Sequence, residues 1–291
     1  MMIDTHIHLD ADQYNPPDQV IARARAAGLS GVVAPGVGPA SNGRVLALAA
    51  RHPGFVHPAC GFHPEAYDLT GADLEQTLAQ IHDHRERLCA VGEVGLPWYG
   101  ARAGAATPAA RDQLAALARA AAHADLALIL HAPHAAAGPA LEIARSAGVR
   151  RAIFHWHKST PAVTAAIVAA GYLISLTPEA VYRDRDQALA RAVPLSSMLV
   201  ETNGPAPHRG PFTGCLTEPW MVAPAIDAIA LILGESSAAV RAATTANAIV
   251  AFRLRPVPQL QVPAPASVLP SRRVALNLFP TPSGVERRRG A

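Results

Sequence analysis

The chain has little that would tie it to a membrane or to an oxidising compartment. Its three cysteines, Cys60, Cys89 and Cys215, lie far apart and form no C-x-x-C pair. Neither a disulfide framework nor a thiolate zinc site is indicated, and they read as small buried hydrophobes. No apolar run approaches the roughly 20 residues that cross a bilayer, and the N-terminus has no basic segment followed by an apolar signal core. A cytoplasmic protein without membrane contact is expected. Also missing is a G-x-G-x-x-G turn, which counts against a dinucleotide-binding sheet. No helix carries a distinct dimerisation signal, so a monomer is expected.

Basic charge is present, but only at one end. The whole chain carries a formal net charge of +3. Residues 256–291 hold Arg272, Arg273, Arg287, Arg288 and Arg289 against Glu286, a local +4 that leaves −1 for residues 1–255. The body is therefore not a basic surface for extended duplex binding. The same end is rich in proline, as in V-P-Q-L-Q-V-P-A-P-A, and has no sustained helical or strand period. It reads as a disordered basic tail, residues 256–291, behind one domain of residues 1–255.

In the body, short aliphatic runs alternate with alanine-rich amphipathic segments. Strands are expected at Met2–Ile7, Gly31–Ala34, Val56–Cys60, Cys89–Val91, Ala127–Leu130, Ala152–Phe154, Tyr172–Ser175 and Met198–Val200. Helices are expected between them, among others at Pro17–Ala27, Ala72–His84, Ala109–His123 and Glu218–Leu233. Eight strands each followed by a helix is the order of an α/β protein of the (β/α)8 barrel type. A doubly wound open sheet is the alternative, and it usually has fewer strands.

Residues able to bind metal fall at one end of this ladder. His6 and His8 close the first strand, with Asp4 before them in D-T-H-I-H-L. His63 follows the third strand, Glu93 the fourth, His131 the fifth and His155 the sixth; Glu201 and Asn203 follow the eighth. In a barrel these C-terminal strand ends converge on one cleft, where catalysis takes place. A lone histidine on an apolar strand is more often a hydrogen-bonded core residue than a ligand. Several at the same end of successive strands, with Glu93 among them, reverse that reading. Mixed imidazole and carboxylate ligands suit zinc or manganese, and carboxylate-rich positions also take magnesium. Two divalent ions bridged by Glu93 would make the site hydrolytic, and Asp4 would hold a ligand imidazole from behind. His134, His157 and His208 lie on loops at the same face but are not expected to be ligands.

The ordered set D-T-H-I-H-L, G-F-H-P, G-E-V-G-L-P-W-Y, L-H-A, F-H-W, Y-L-I-S-L-T-P, E-T-N-G-P and T-T-A-N-A-I-V-A-F resembles the TatD family of metal-dependent hydrolases. The likeness spans about Met1 to Phe252. It implies a TIM barrel, two metal ions and hydrolysis of phosphodiester bonds, commonly exonucleolytic on DNA. By position, His6 and His8 resemble ligands of one ion, Glu93 the bridge, His131 and His155 ligands of the second, and His63 the residue that meets the substrate phosphate.

Departures from the family pattern bear on activity. Strand eight in this family reads E-T-D, where the aspartate binds metal and orients or deprotonates the attacking water; here the position is Asn203. An amide oxygen can ligate a hard ion but is no base at neutral pH. Glu201, two residues earlier, is the candidate substitute base. Pro97 stands where many members have aspartate. Asn203 precedes Gly204, a pair that deamidates where the backbone is flexible. The expected partner is DNA or a small phosphodiester. Two other readings stay open: hydrolysis of a small amide, ester or lactone, and a catalytically impaired metal-binding protein.

Overall fold

A computed structural model of the chain describes residues 1–66, 69–99 and 106–254. Eight parallel strands follow in order β1 to β8: Met2–Asp4, Leu29–Pro35, Val56–Phe62, Ala90–Gly95, Ala127–His131, Ala152–Phe154, Leu173–Leu176 and Met198–Val200. Thr5 N donates to Val200 O and Asn203 N to His6 O, at 3.1 and 2.8 Å, and these bonds join the last strand to the first. Helices follow the strands at Pro17–Ala26, Pro39–Arg51, Gly71–His84, Pro108–His123, Ala137–Ser146, Pro161–Ala169, Asp184–Ala192, Val222–Leu233 and Ser237–Phe252, numbered α1 to α9. The (β/α)8 barrel is therefore the observed architecture. Threonine followed by proline starts α4 and α6, where Thr107 and Thr160 cap the exposed N–H groups of Ala110 and Val163.

Two apolar sets hold the barrel, and their separation positions the site. Strand residues facing the helices, such as Val32, Leu128, Leu130 and Val200, share one cluster with α1 to α5. The alternate residues Ile3, Val33, Ile129, Ile153 and Leu199 pack inside the barrel with Ala248, Ala251 and Phe252 of α9. Ile129 and Ile153 are register partners. Because strand side chains alternate, His131, His155 and Glu201 lie two residues further on and face the same interior at its C-terminal end.

Two expectations need adjustment. The first strand ends at Asp4, and only Ile7 resumes pairing, with Gly204. The physical reason is Asp4 itself: its Oδ1 accepts the His6 and Thr202 N–H groups, which removes the His6 N–H from the ladder. The helix expected from Glu218 opens with a short 3-10 turn, Pro219–Met221, before α8. The segment T-T-A-N-A-I-V-A-F belongs to α9, whose Ala248, Ala251 and Phe252 plug the N-terminal end of the barrel against Ile3, Ala59 and Ala127. Among the described residues, no single helix is long and apolar enough to cross a membrane.

The tail expected over residues 256–291 lies outside the described residues. We propose residues 1–255 as a self-sufficient folding unit, supported by the two apolar clusters, which among the described residues draw on all eight strands. A chain ending at Arg255 is expected to show the same cooperative melting temperature as the full chain; a marked drop would remove the proposed boundary.

Candidate metal centre

Glu93 stands at the centre of the site. It is 1% exposed, inside β4 two residues before the strand ends, where β2, β3 and β4 approach closely. A methyl group at Gly61 would come within 2.3 Å of Glu93 N and 2.4 Å of Gly36 O, so only glycine fits there. Gly36 O in turn accepts the Glu93 N–H.

Five imidazoles from four segments, at the ends of β1, β3, β5 and β6, converge on its two oxygens. Oε2 lies 3.1 Å from His6 Nε2 and 3.2 Å from His8 Nε2. Oε1 lies 2.7 Å from His155 Nε2, 2.8 Å from His131 Nδ1 and 3.0 Å from His63 Nε2. Burial alone would raise the Glu93 carboxyl, but His155, His63 and His6 outweigh it and hold the group well below the usual carboxylate range. It is ionised at neutral pH. His155 is pushed up to about 10: burial opposes the charge, and Glu93 and Glu201 override it. Its stacked neighbour His6, 4.0 Å away between ring centres, is brought down to about 4 by burial and by His155.

Hydrogen bonds on the far side of each ring decide what the near nitrogen offers. His8 Nδ1 faces Pro35 O at 3.3 Å, and His155 Nδ1 faces Glu201 Oε1 at 3.3 Å. A carbonyl or carboxylate there takes one ring N–H, so in the neutral rings that a metal requires Nε2 of both residues carries the lone pair. His63 is the opposite case. Its Nδ1 accepts the Glu65 N–H at 3.1 Å, so in the neutral ring the proton sits on Nε2. Burial keeps that ring neutral by lowering its pKa, against the pull of Glu93. His63 thus presents a donor, not a ligand lone pair.

The donor set fits a divalent ion. His6 Nε2, His8 Nε2 and Glu93 Oε2 form a triangle with sides of 3.3, 3.1 and 3.2 Å. Atoms about 2.0–2.2 Å from a shared ion stand roughly 3–3.5 Å apart, depending on whether the angles are octahedral or tetrahedral. His6 Nδ1, His131 Nε2 and Asn203 Oδ1 are buried atoms without a hydrogen-bond partner, an expense that a neutral core would not carry.

The remaining expected residues fall in less obvious places. Glu201 is fully buried; Oε1 accepts from Trp156 N at 2.7 Å and Oε2 from Ser175 Oγ at 2.6 Å. It stands behind His155 with both oxygens engaged, so it does not fit the expected part of a substitute base. Asp4 does not reach a ligand imidazole either: both its oxygens bind Thr202, and one the His6 backbone. It ties β1 to the end of β8. Asn203 adopts φ 53°, a left-handed conformation that asparagine and aspartate accept better than most residues. His157 Nε2 pairs with Thr164 Oγ1 and His208 Nε2 with Thr202 O, so both serve the loops. Glu65 was not singled out in the sequence, although it stands two residues beyond His63 in G-F-H-P-E. Its Oε1 accepts from Trp98 N and Tyr99 N and lies 3.6 Å from His131 Nε2.

A family profile described as TatD related DNase matches residues 3–253. The chain belongs to the TatD-related DNase family. It is 33% identical over 268 residues to the putative deoxyribonuclease TATDN3 of Mus musculus, covering 88% of each chain. It is 31% identical over 270 residues to the uncharacterized metal-dependent hydrolase TatD of Mycobacterium tuberculosis, covering 87% of this chain and 98% of that one. Among solved structures, the TatD homologue YJJV of Escherichia coli superposes with a TM-score of 0.78 at 24% identity, over 87% of this chain and 98% of that one. As a TatD-family member the chain is a metal-dependent hydrolase, and the imidazole–carboxylate cluster is its candidate metal centre.

Proposed function

We propose that this TatD-family chain is a phosphodiesterase that uses two divalent ions to release nucleotides from a DNA strand end. The observation that carries this reading is the division of five imidazoles between the two oxygens of Glu93. His6 and His8 would hold one ion with Asn203, His131 and His155 the other, and Glu93 would bridge them. Zinc, manganese and magnesium all suit this mixed set. When bound, the ions supply a nucleophile by acidifying water and offset charge on the attacking and leaving oxygens.

The chain's own residues do the positioning. Glu93 stays ionised and offers one oxygen to each group of imidazoles. Glu201 fixes the ring of His155 through Nδ1, so its second nitrogen keeps its aim. His63 Nε2–H donates to Glu93 Oε1 at 3.0 Å and, once an ion takes that oxygen, would bind a non-bridging phosphate oxygen. The Asn203 amide oxygen would accept a hydrogen bond from the attacking water and so orient it without removing its proton. The body's near-neutral charge favours capture of a single strand end over duplex coating. We place the protein in the cytoplasm as a monomer; the free thiols of Cys60, Cys89 and Cys215 suit a reducing compartment.

The test has two parts: metal content per chain by mass spectrometry, and turnover of single-stranded DNA with magnesium, manganese or zinc. About two ions per chain and shortening from one end are expected. Bound metal with turnover of amides, esters or lactones but not DNA would overturn the reading, as would a chain that binds no metal and turns over nothing.

A further inference from the structure

Lys158 is the only lysine in a chain with 25 lysine and arginine residues. It lies three residues beyond the candidate ligand His155, in the loop after β6, with Nζ 3.4 Å from the centre of the Trp156 ring. That indole is held firmly. Trp156 has φ 39°, uncommon for a bulky side chain, and is kept there by two bonds. Its N–H donates to Glu201 Oε1, the oxygen that faces His155, and its Nε1–H donates to Glu179 Oε2 at 2.9 Å. His134 N also donates to Lys158 O, which fastens the loop after β5 to this one.

The charges around this platform do not balance. Glu179 receives Arg183 and Arg185, and Asp186 receives Arg185 as well. Three cations therefore face two carboxylates, and among the described residues Lys158 has the indole but no carboxylate within ion-pair distance. Burial lowers its amine to about 8, against the opposing pull of Glu179. A half-buried ammonium on an aromatic face, one charge in excess beside a hydrolytic centre, is a place for an anion.

We propose that Lys158 binds a second phosphate of the substrate strand, next to the one being cleaved, and so makes the enzyme selective for chains of two or more phosphates over isolated diesters. This rests on the phosphodiesterase reading above. Lysine suits the task because its three donors rotate about a compact charge, whereas a guanidinium fork demands a fixed orientation. A strand end that advances after each cut presents its phosphates at changing angles.

The experiment measures binding rather than turnover. The full-length, metal-loaded protein is titrated with a fluorescent single-stranded oligonucleotide carrying phosphorothioate linkages, over a series of salt concentrations. Lys158→Met is expected to weaken binding about tenfold near 0.1 M salt and to reduce the log–log salt slope by about 0.7, the share of one phosphate contact on a single strand. Lys158→Arg should recover most of the slope, and Lys158→Gln repeats the comparison should the methionine variant fold poorly. A Lys158→Met or Lys158→Gln protein with native circular dichroism and an unchanged slope overturns the inference while leaving the nuclease reading intact. Wild-type protein that shows no salt-dependent binding of the oligonucleotide overturns both.

Discussion

Glu93→Gln is expected to lower turnover of single-stranded DNA by on the order of 10³-fold, the scale reached when a buried electrostatic contact to the reacting centre is removed. Metal content should fall with it. The reason is the number of partners on one side chain: five ring nitrogens lie within 3.2 Å of its two oxygens. Glutamine keeps the shape but replaces one acceptor by an NH2 group and removes the charge. Placed at Oε2, the NH2 would point at the lone pairs of His6 and His8; placed at Oε1, it would oppose the Nε2–H of His63. Either way one group of imidazoles loses its carboxylate oxygen. The substitution also removes the charge that helps raise His155 to about 10, so in the metal-free variant His155 should titrate lower. Full metal occupancy in a folded Glu93→Gln protein would show that the carboxylate does not bridge, and metal analysis with circular dichroism checks this directly.

Much of this site was legible because strand periodicity is strict. The same alternation that buries Ile129 and Ile153 aims His131 and His155, and a reader of the sequence can count it. The first strand was less transparent. In D-T-H-I-H-L the pattern suggests one continuous strand to Ile7, yet the Asp4 carboxylate captures the His6 N–H and ends the ladder at Asp4. His6 and His8 still converge, because beyond the break Ile7 N bonds to Val33 O and His8 N to Gly204 O. What periodicity cannot express is which side of a buried residue is already occupied. Glu201 shares the interior parity of the ligands, and only its bonds to Ser175 and Trp156 show that it supports His155. The donor role of His63 likewise depends on one backbone contact from Glu65. Helix α9 has the alanine-rich composition of the outer helices, and its use as a plug follows from tertiary packing alone.

Asn203→Asp is expected to raise nuclease turnover by on the order of 10²-fold, the lower end of what a positioned general base contributes. Three features of the position favour the exchange. The residue sits at φ 53°, which aspartate tolerates as asparagine does, so the backbone need not move. Its Oδ1 is buried without a protein partner, and the exchange leaves that acceptor unchanged. Its backbone N–H is anchored to His6 O, which couples the side chain to the His6 and His8 corner. The new carboxylate would add a negative charge beside those ligands and tighten metal binding there. It would also burden the metal-free fold, because a buried charge without a counterion is destabilising. The variant should therefore melt below the wild type in chelator, and gain more from added metal, by linkage. Spontaneous deamidation is a poor route to the same acid, since Asn203 is 9% exposed and the Gly204 N–H that must attack is engaged by Thr202 Oγ1 at 3.3 Å. A rate and melting shift both unchanged in Asn203→Asp would mean that the amide is not the weak point of the site. Both changing as described would identify the asparagine as a replacement that keeps the geometry of a metal corner while giving up its base.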